Sequence, residues 1–393
     1  MTRRLGVHGT LLAAVLPLLV ATLVGLVVLW PDGDVAGRPA SFGPPVRLVD
    51  GTVEVDRAVP CQGGPGSGAA SNCRVATVRL TEGPEKGETV ELELYEGPGQ
   101  PRLHVGDPVV LGRAVDRAGV DYYFSDFQRS SPLLWLGLVF AVAVIAVGRL
   151  RGLAALVGLG LSFVLLIAFV LPAILEGRNA LLVAIVASSA IMFLLMYLAH
   201  GVNAKTTSAL LGTLVSLALT GFLAAVFVDV AMVASVGTEE TAFLQISASQ
   251  VSLEGILLGG IIIGSLGVLN DVTVTQASAV WALREADPTA GAVDLYRRAM
   301  AIGRDHIAST VDTLVLAYAG ASLPLLLLFT LASRPIGDVV TGGLVAQEIV
   351  RTLVGGIGLV ASVPLTTGLA AAVAVHSDPG AKPGRPSAPH HHH

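Results

Sequence analysis

The chain carries two textures of apolar patterning, and they predict two kinds of structure. Long uninterrupted apolar runs dominate; one stretch instead shows short runs with alternating apolar positions. The first long run extends from Leu11 to Trp30, behind Arg3 and Arg4, and reaches the roughly 20 residues a helix needs to cross a bilayer. A cleavable signal peptide has a shorter apolar core ending in small residues. Residues 1–31 therefore read as an uncleaved membrane anchor, with the basic start placing the N-terminus in the cytoplasm.

The alternating texture covers residues 44–127. PVRLVDGTVEVDRAV, CRVATVRL, ETVELELY, DPVVLGRAV and VDYYF are β-rich and separated by Gly, Pro and Asp turns. Five such strands predict a small extracytoplasmic β-barrel or sandwich, OB-like in type, inserted after the first helix. The only two cysteines, Cys61 and Cys73, flank the loop QGGPGSGAASN, and a disulfide closing that loop is the natural reading outside the cytoplasm.

From residue 130 to 376 the long runs return, at 132–148, 153–175, 180–199, 206–230, 252–275, 306–332 and 345–375. With the anchor they make an α-helical polytopic membrane protein of about eight transmembrane helices, seven of them in this region. Arg149, Arg151, Lys205, Arg284, Arg297, Arg298 and Arg304 fall in connections expected inside, and the EGRN, Glu239–Glu240 and SRPIGD segments in connections expected outside. Both termini are then cytoplasmic, in the cytoplasmic membrane of a bacterial cell. Residues 231–251 are polar enough for a loop and apolar enough for a re-entrant helix. In 284–304, Val293, Tyr296 and Met300 give a short helix one apolar edge, fit for the membrane surface. Residues 377–393 read as a disordered tail, and His390–His393 as a tag remnant.

Composition agrees. Apolar residues make up 53% and charged residues 13%, and mean hydropathy is +0.73, outside the soluble range. The net charge of −5 comes without any basic run, which argues against nucleic acid as a partner. No ATP-binding or other cofactor motif is present, so no cofactor is expected. The expected partners are the bilayer and a small ion or solute; a homo-oligomer is left open.

The candidate chemistry lies in two polar stripes. On the seventh span Asp305, Ser309 and Asp312 share a helix face, with Thr313 beside them and His306 on the adjoining face. On the sixth, Asp271, Thr275 and Ser278 repeat the spacing, with Asn270, Thr273 and Gln276 next to them. Carboxylates at membrane depth cost several kcal/mol unless paired, hydrated or neutralised, and usually mark an ion or proton path. The two stripes are expected to face each other across an internal cavity, and Asp with His would also suit a divalent metal. The plainer alternatives are a paired cap at Asp305 and helix knitting by Asn270 and Asp271. Asn203, Lys205, Thr206 and Thr207 open the fifth span and form a candidate anion site, unless they are ordinary capping plus a cytoplasmic lysine.

Three strings, LGGIIIGSLGVLNDVTVTQASAV, GRDHIASTVDTLVLAYAGASLPLLLLF and EIVRTLVGGIGLVASVPLTT, resemble the hallmark segments of the YibE/F-like family of bacterial multi-spanning membrane proteins, in the same order. The resemblance maps the motif aspartates onto Asp271 and Asp305. At Asp312 the family more commonly carries asparagine or another polar residue, which weakens a mechanism needing charge there. It implies a membrane protein of poorly defined biochemistry, often guessed to be a transporter. A secondary, ion- or proton-coupled transporter is the leading expectation. The alternatives are a non-catalytic sensor or complex subunit that binds a partner through its β domain, and an intramembrane aspartyl protease. No catalytic residue is assigned, because the signatures of the known intramembrane aspartyl proteases are missing.

Overall fold

The computed structural model describes residues 7–33, 47–60, 72–95, 97, 99–115, 119–235, 251–331 and 335–377. The chain divides into two compact units, residues 38–146 and the remainder.

The smaller unit is an antiparallel sheet of β1 (Arg47–Pro60), β2 (Asn72–Leu80), β3 (Thr89–Tyr95), β4 (Pro108–Val115) and β5 (Val120–Phe127), in the order β3-β2-β1-β4-β5. Val49, Val53, Val78, Leu80, Leu92, Val109 and Leu111 share its buried face. Register shifts between Val53 and Val55 and between Val110 and Leu111 add bends that curl the sheet into a half-barrel. Gly112 leaves the room that the Tyr123 ring occupies across the β4–β5 pair. Glu85 fastens the outside of the sheet: it accepts from both Arg113 (Nε 2.9 Å, Nη2 2.5 Å) and the Tyr122 hydroxyl (2.8 Å). The pairing expected between Cys61 and Cys73 falls partly outside the described residues; Cys73 itself is fully buried in β2.

The larger unit is helical. Its elements are α1 (Val7–Val28), α2 (Ser130–Leu165, which begins in the smaller unit), a π turn (Leu166–Val170), α3 (Leu171–Leu175), α4 (Ala180–His200), α5 (Ala204–Val230), α6 (Leu253–Ala286), α7 (Ala292–Ala321), α8 (Leu323–Leu331), α9 (Ile336–Thr341) and α10 (Gly343–Ala374). Side-chain caps start three of them: Asn179 accepts from Leu182 N, Asn203 from Thr206 N and Ser252 from Gly255 N. Gly201 closes α4 at φ 73°, a conformation that favours glycine. The end of α1 is tied down by Glu176, which accepts from the backbone N–H of Asp32 (3.0 Å) and Gly33 (2.9 Å), and by Trp30 stacked on Phe169 at 5.6 Å.

Among the described residues six helices are long and apolar enough to cross a membrane, and α7 with α8 makes a seventh candidate bent by 57°. The runs expected at 132–148 and 153–175 are separated by a break in the helix at Arg149 (φ 53°, ψ −134°). The bend between α7 and α8 has a local cause. Pro324 has no N–H for the carbonyl of Gly320, so the ladder breaks there.

One expectation is corrected. No separate surface helix occupies 284–304; α7 begins at Ala292 and runs unbroken to Ala321. Charged residues do not stop a helix, and here they support it. Arg298 pairs with Asp294 one turn back (2.6 Å) and with Asp287 before the helix (3.2 Å). The buried face of this segment is Leu295, Ala299 and Gly303, while Val293 is 66% exposed. Of residues 231–251, only a 3-10 turn at Val233–Ser235 and the residues flanking 236–250 are described.

Candidate functional site

The polar residues that meet inside the helical unit are neutral. They lie where α5, α6 and α10 pack on one another. Thr213 on α5 and Thr273 on α6 are fully buried, with their hydroxyls 2.6 Å apart. Thr367 on α10 bonds Gln276 on α6 at 2.9 Å, both fully buried. Most of the other hydroxyls in the seam turn back onto their own helix: Ser216 onto Gly212 O, Thr220 onto Ser216 O, Ser265 onto Ile262 O and Ser362 onto Leu359 O, all at 2.7–2.9 Å. A hydroxyl that satisfies itself locally can be buried without a partner helix having to supply anything.

Glycines bring the helices close enough for this. Gly212 on α5 lies against Thr366 on α10, and Thr220 on α5 lies against Gly358 on α10. The two contacts are reciprocal, eight residues apart on each antiparallel helix. On α7, Gly303 borders Gln276; a Cβ there would lie 3.0 Å from Nε2, 3.1 Å from Oε1 and 2.6 Å from Val363 Cγ1.

Gln276 is left one partner short. Thr367 has a single proton and two acceptors in reach, Gln276 Oε1 at 2.9 Å and its own Val363 O at 2.6 Å. If the proton goes to Val363 O, the amide must turn so that Nε2 donates to Thr367. One amide atom of Gln276 stays buried without a partner in either orientation. Thr366 Oγ1 and Ser188 Oγ are likewise buried and unpartnered, as are single atoms of Asn270 (Oδ1) and His306 (Nε2).

The charged members of the expected stripes are elsewhere. Asp271, Asp305, Ser309, Asp312 and Thr313 are all exposed on the chain, while Asn270, Thr275 and His306 are half-buried. The face of α7 that packs inward carries Leu295, Ala299, Gly303 and Leu314, on the opposite side from Asp305 and Asp312. On α6, Val272, Thr273 and Gln276 are buried and Asp271 is not. Of the two expected stripes, the structure places Thr273 and Gln276 in the packed interior. Among the described residues, no three of His, Cys, Asp and Glu converge as metal ligands would.

At the start of α5, Asn203 accepts from Thr206 N at 2.9 Å and Thr206 is 3% exposed. His200, Lys205, Thr206 and Ser278 border a cavity of about 10 Å³, space for one water at most. This is the geometry of a capped helix start. A larger cavity of about 270 Å³ lies between α7, α8 and α10, with apolar walls and Tyr318, Ser322, Glu348 and Thr352 along it. Glu348 is paired with Arg351 at 3.2 Å.

The seam was missed in the sequence because Ser and Thr in apolar runs look like tolerated background. A signal was present, in Thr206, Thr213 and Thr220 at seven-residue intervals and Gly358, Ser362 and Thr366 at four-residue intervals.

No curated protein and no solved structure matches the chain. The family model for YibE/F-like protein matches residues 136–376, which takes in α3 to α10, most of α2, and both helices that carry the acidic residues. More than half of the chain is covered, and it belongs to the YibE/F-like family.

Proposed function

We propose that the protein is a multi-pass membrane transporter, ion- or proton-coupled, for a small ion or solute, with the outward acidic faces of α6 and α7 along its path. The observation that carries this reading is the position of Asp271, Asp305 and Asp312: exposed on the chain, yet on long helices set among apolar residues. Hydrocarbon is a poor neighbour for a carboxylate, so these faces belong to water, to an ion or to protein rather than to lipid tails. Asp312 is seven residues beyond Asp305, about 10 Å along the helix, which gives the acidic face depth. Asp271 and Asp305 are the proton or cation carriers in this reading. Asn270, Thr275, Ser309 and Thr313 serve as neutral oxygen ligands beside them, and His306 as a further titratable neighbour. No catalytic residue is assigned.

The arrangement in the bilayer follows from the same helices. Dividing the 130–175 segment at Arg149 and counting α7 with α8 as one bent span gives eight crossings. The N-terminus is then cytoplasmic and the β unit lies outside a bacterial cytoplasmic membrane. The strand order, with edge strands β3 and β5 approaching each other, supports an OB-like half-barrel there.

Purified protein in proteoliposomes tests the transport reading, with radiotracer and metal-ion flux measured across an imposed pH gradient. Asp271→Asn and Asp305→Asn keep volume and hydrogen bonding while removing charge. Each should leave the protein inserted and folded but abolish flux or its coupling to pH. Wild-type flux in both variants overturns the carrier role.

A further inference from the structure

The outward face of α7 combines three features: small residues, acids and an unpaired cation. Ala301, Asp305, Ala308 and Asp312 follow one another at intervals of four, three and four residues, and all four are exposed. Arg304 flanks them and is exposed too. Among the described residues no hydrogen bond or ion pair engages the side chains of Arg304, Asp305 or Asp312. Lower on the same helix, Arg298 is paired twice, with Asp287 and Asp294. Arg298 is thus satisfied within the chain, whereas among the described residues the exposed Arg297, Arg304, Asp305 and Asp312 are not.

We propose that this face is the contact with a second copy of the chain, α7 against α7 around a two-fold axis along the membrane normal. The inference stands apart from the transport reading. Two copies inserted in the same direction bring each residue to the height of its own counterpart. Arg304 and Asp305 are neighbours, about 1.5 Å apart along the helix axis, so the Arg304 of each copy meets the Asp305 of the other. A self-complementary pair of this kind is what an isologous contact requires, and an unrelated partner would not need the cation and the acid side by side. Alanines at 301 and 308 let the two helices approach closely, as small residues do between helices in lipid. The two Asp312 side chains come together above the ion pairs, and one shared proton or cation removes their repulsion.

The test uses the full chain in lipid nanodiscs. Mass photometry should show a dimer for the natural sequence, and Ala308→Cys should form an oxidative cross-link to itself. Val215→Cys, exposed on α5, should not, with the natural protein as the control for Cys61 and Cys73. Arg304→Asp and Asp305→Arg each set like charges opposite and should weaken dimerisation by about tenfold or more. The double variant with both exchanges should restore it. A monomeric natural protein overturns the proposal, as does a cross-link from Ala308→Cys only to a different protein or none at all. So does a dimer that persists unweakened in both single variants, or monodisperse single variants that the double exchange fails to rescue.

Discussion

The reciprocal contacts between α5 and α10 set two terms of opposite sign against each other, so their sum can be tested. Replacing a helical glycine with alanine favours the helix by about 1 kcal/mol. At Gly212 the new methyl carbon would overlap Thr366 Oγ1 and lie 3.0 Å from its Cβ and 3.2 Å from its Cα. Rotating the threonine side chain moves its hydroxyl aside but not its backbone, so the helices must separate. Overpacking of this kind costs about 1–3 kcal/mol, and Gly212→Ala should therefore destabilise by roughly 1–2 kcal/mol net. At Gly358 the nearest contacts are to the Thr220 side chain, with its Oγ1 overlapping, its Cβ at 3.2 Å and its Cγ2 at 3.5 Å. Thr220 can turn away at the loss of its 2.8 Å bond to Ser216 O, and Gly358→Ala should cost about 0–1 kcal/mol. The sites are about 12 Å apart along the helix, so the double variant should sum to within about 0.5 kcal/mol. Adding Thr366→Ala to Gly212→Ala removes the hydroxyl overlap and should recover part of the loss. Equilibrium unfolding in mixed micelles against a denaturing detergent measures all four. Stabilisation by about 1 kcal/mol at both glycines, the result of propensity alone, would refute the close approach.

Two further predictions concern the β unit. Hydrogen bonding from Arg113 holds the Glu85 carboxyl below its ordinary value of 4.5, and the depressed value means that its contribution is present above the unfolded pKa and lost as pH falls through the folded one. Amide exchange of β4 and β5 in the full chain should therefore quicken as pH drops below the ordinary glutamate range, beyond the intrinsic rate, and Glu85→Gln should remove that dependence; exchange protection equally pH-sensitive in the variant would count against the assignment. Peptide mapping of protein from an oxidising compartment should find Cys61 joined to Cys73, a closed loop of about a dozen residues worth roughly 3 kcal/mol in the chain-entropy account, and two free thiols would contradict it.

The β unit was legible in the sequence almost to the residue. Each strand was expected within three residues of where it lies, because alternation around Val49, Val53, Val78, Leu92 and Leu111 is set by a face that must be buried. The order of the strands was not legible, since alternation names the face of a strand and not its neighbour. Among the helices the apolar runs located the elements, but α7 was cut too short. Arg297, Arg298 and Arg304 mark where a chain leaves hydrocarbon, and nothing in that transition ends a helix; Asp294 and Asp287 carry the backbone through it. The facing of the polar stripes was the least legible feature. Periodicity puts Asp305 and Asp312 on one face without saying which way that face turns, and the inward side went to Gly303 and Leu314.

The sorting of polar groups has a physical logic that connects the fold to the proposed path. A threonine or serine in a helix can bond the carbonyl one turn back, so the α5–α6–α10 seam stays polar without water, and its glycines close the helices on it. A carboxylate only accepts and finds no free donor on its own helix, so burial in the seam would leave it unpaired at a cost of several kcal/mol or force it neutral. Charge is therefore kept off the tightly packed seam. Among the described residues, the α5–α6–α10 seam leaves only single atoms such as one amide atom of Gln276 and Thr366 Oγ1 without a partner, which is little hydrogen bonding for a solute. In the transport reading proposed above, the route for an ion runs beside the packed helices rather than between them, along the Asp271 and Asp305–Asp312 faces. The proposed second copy of α7 would cover the α7 part of that route, which a single copy leaves facing lipid. Loss of flux in Arg304→Asp, which leaves the proposed carriers in place, together with loss of the dimer would join the two proposals; full flux from a monomer would separate them.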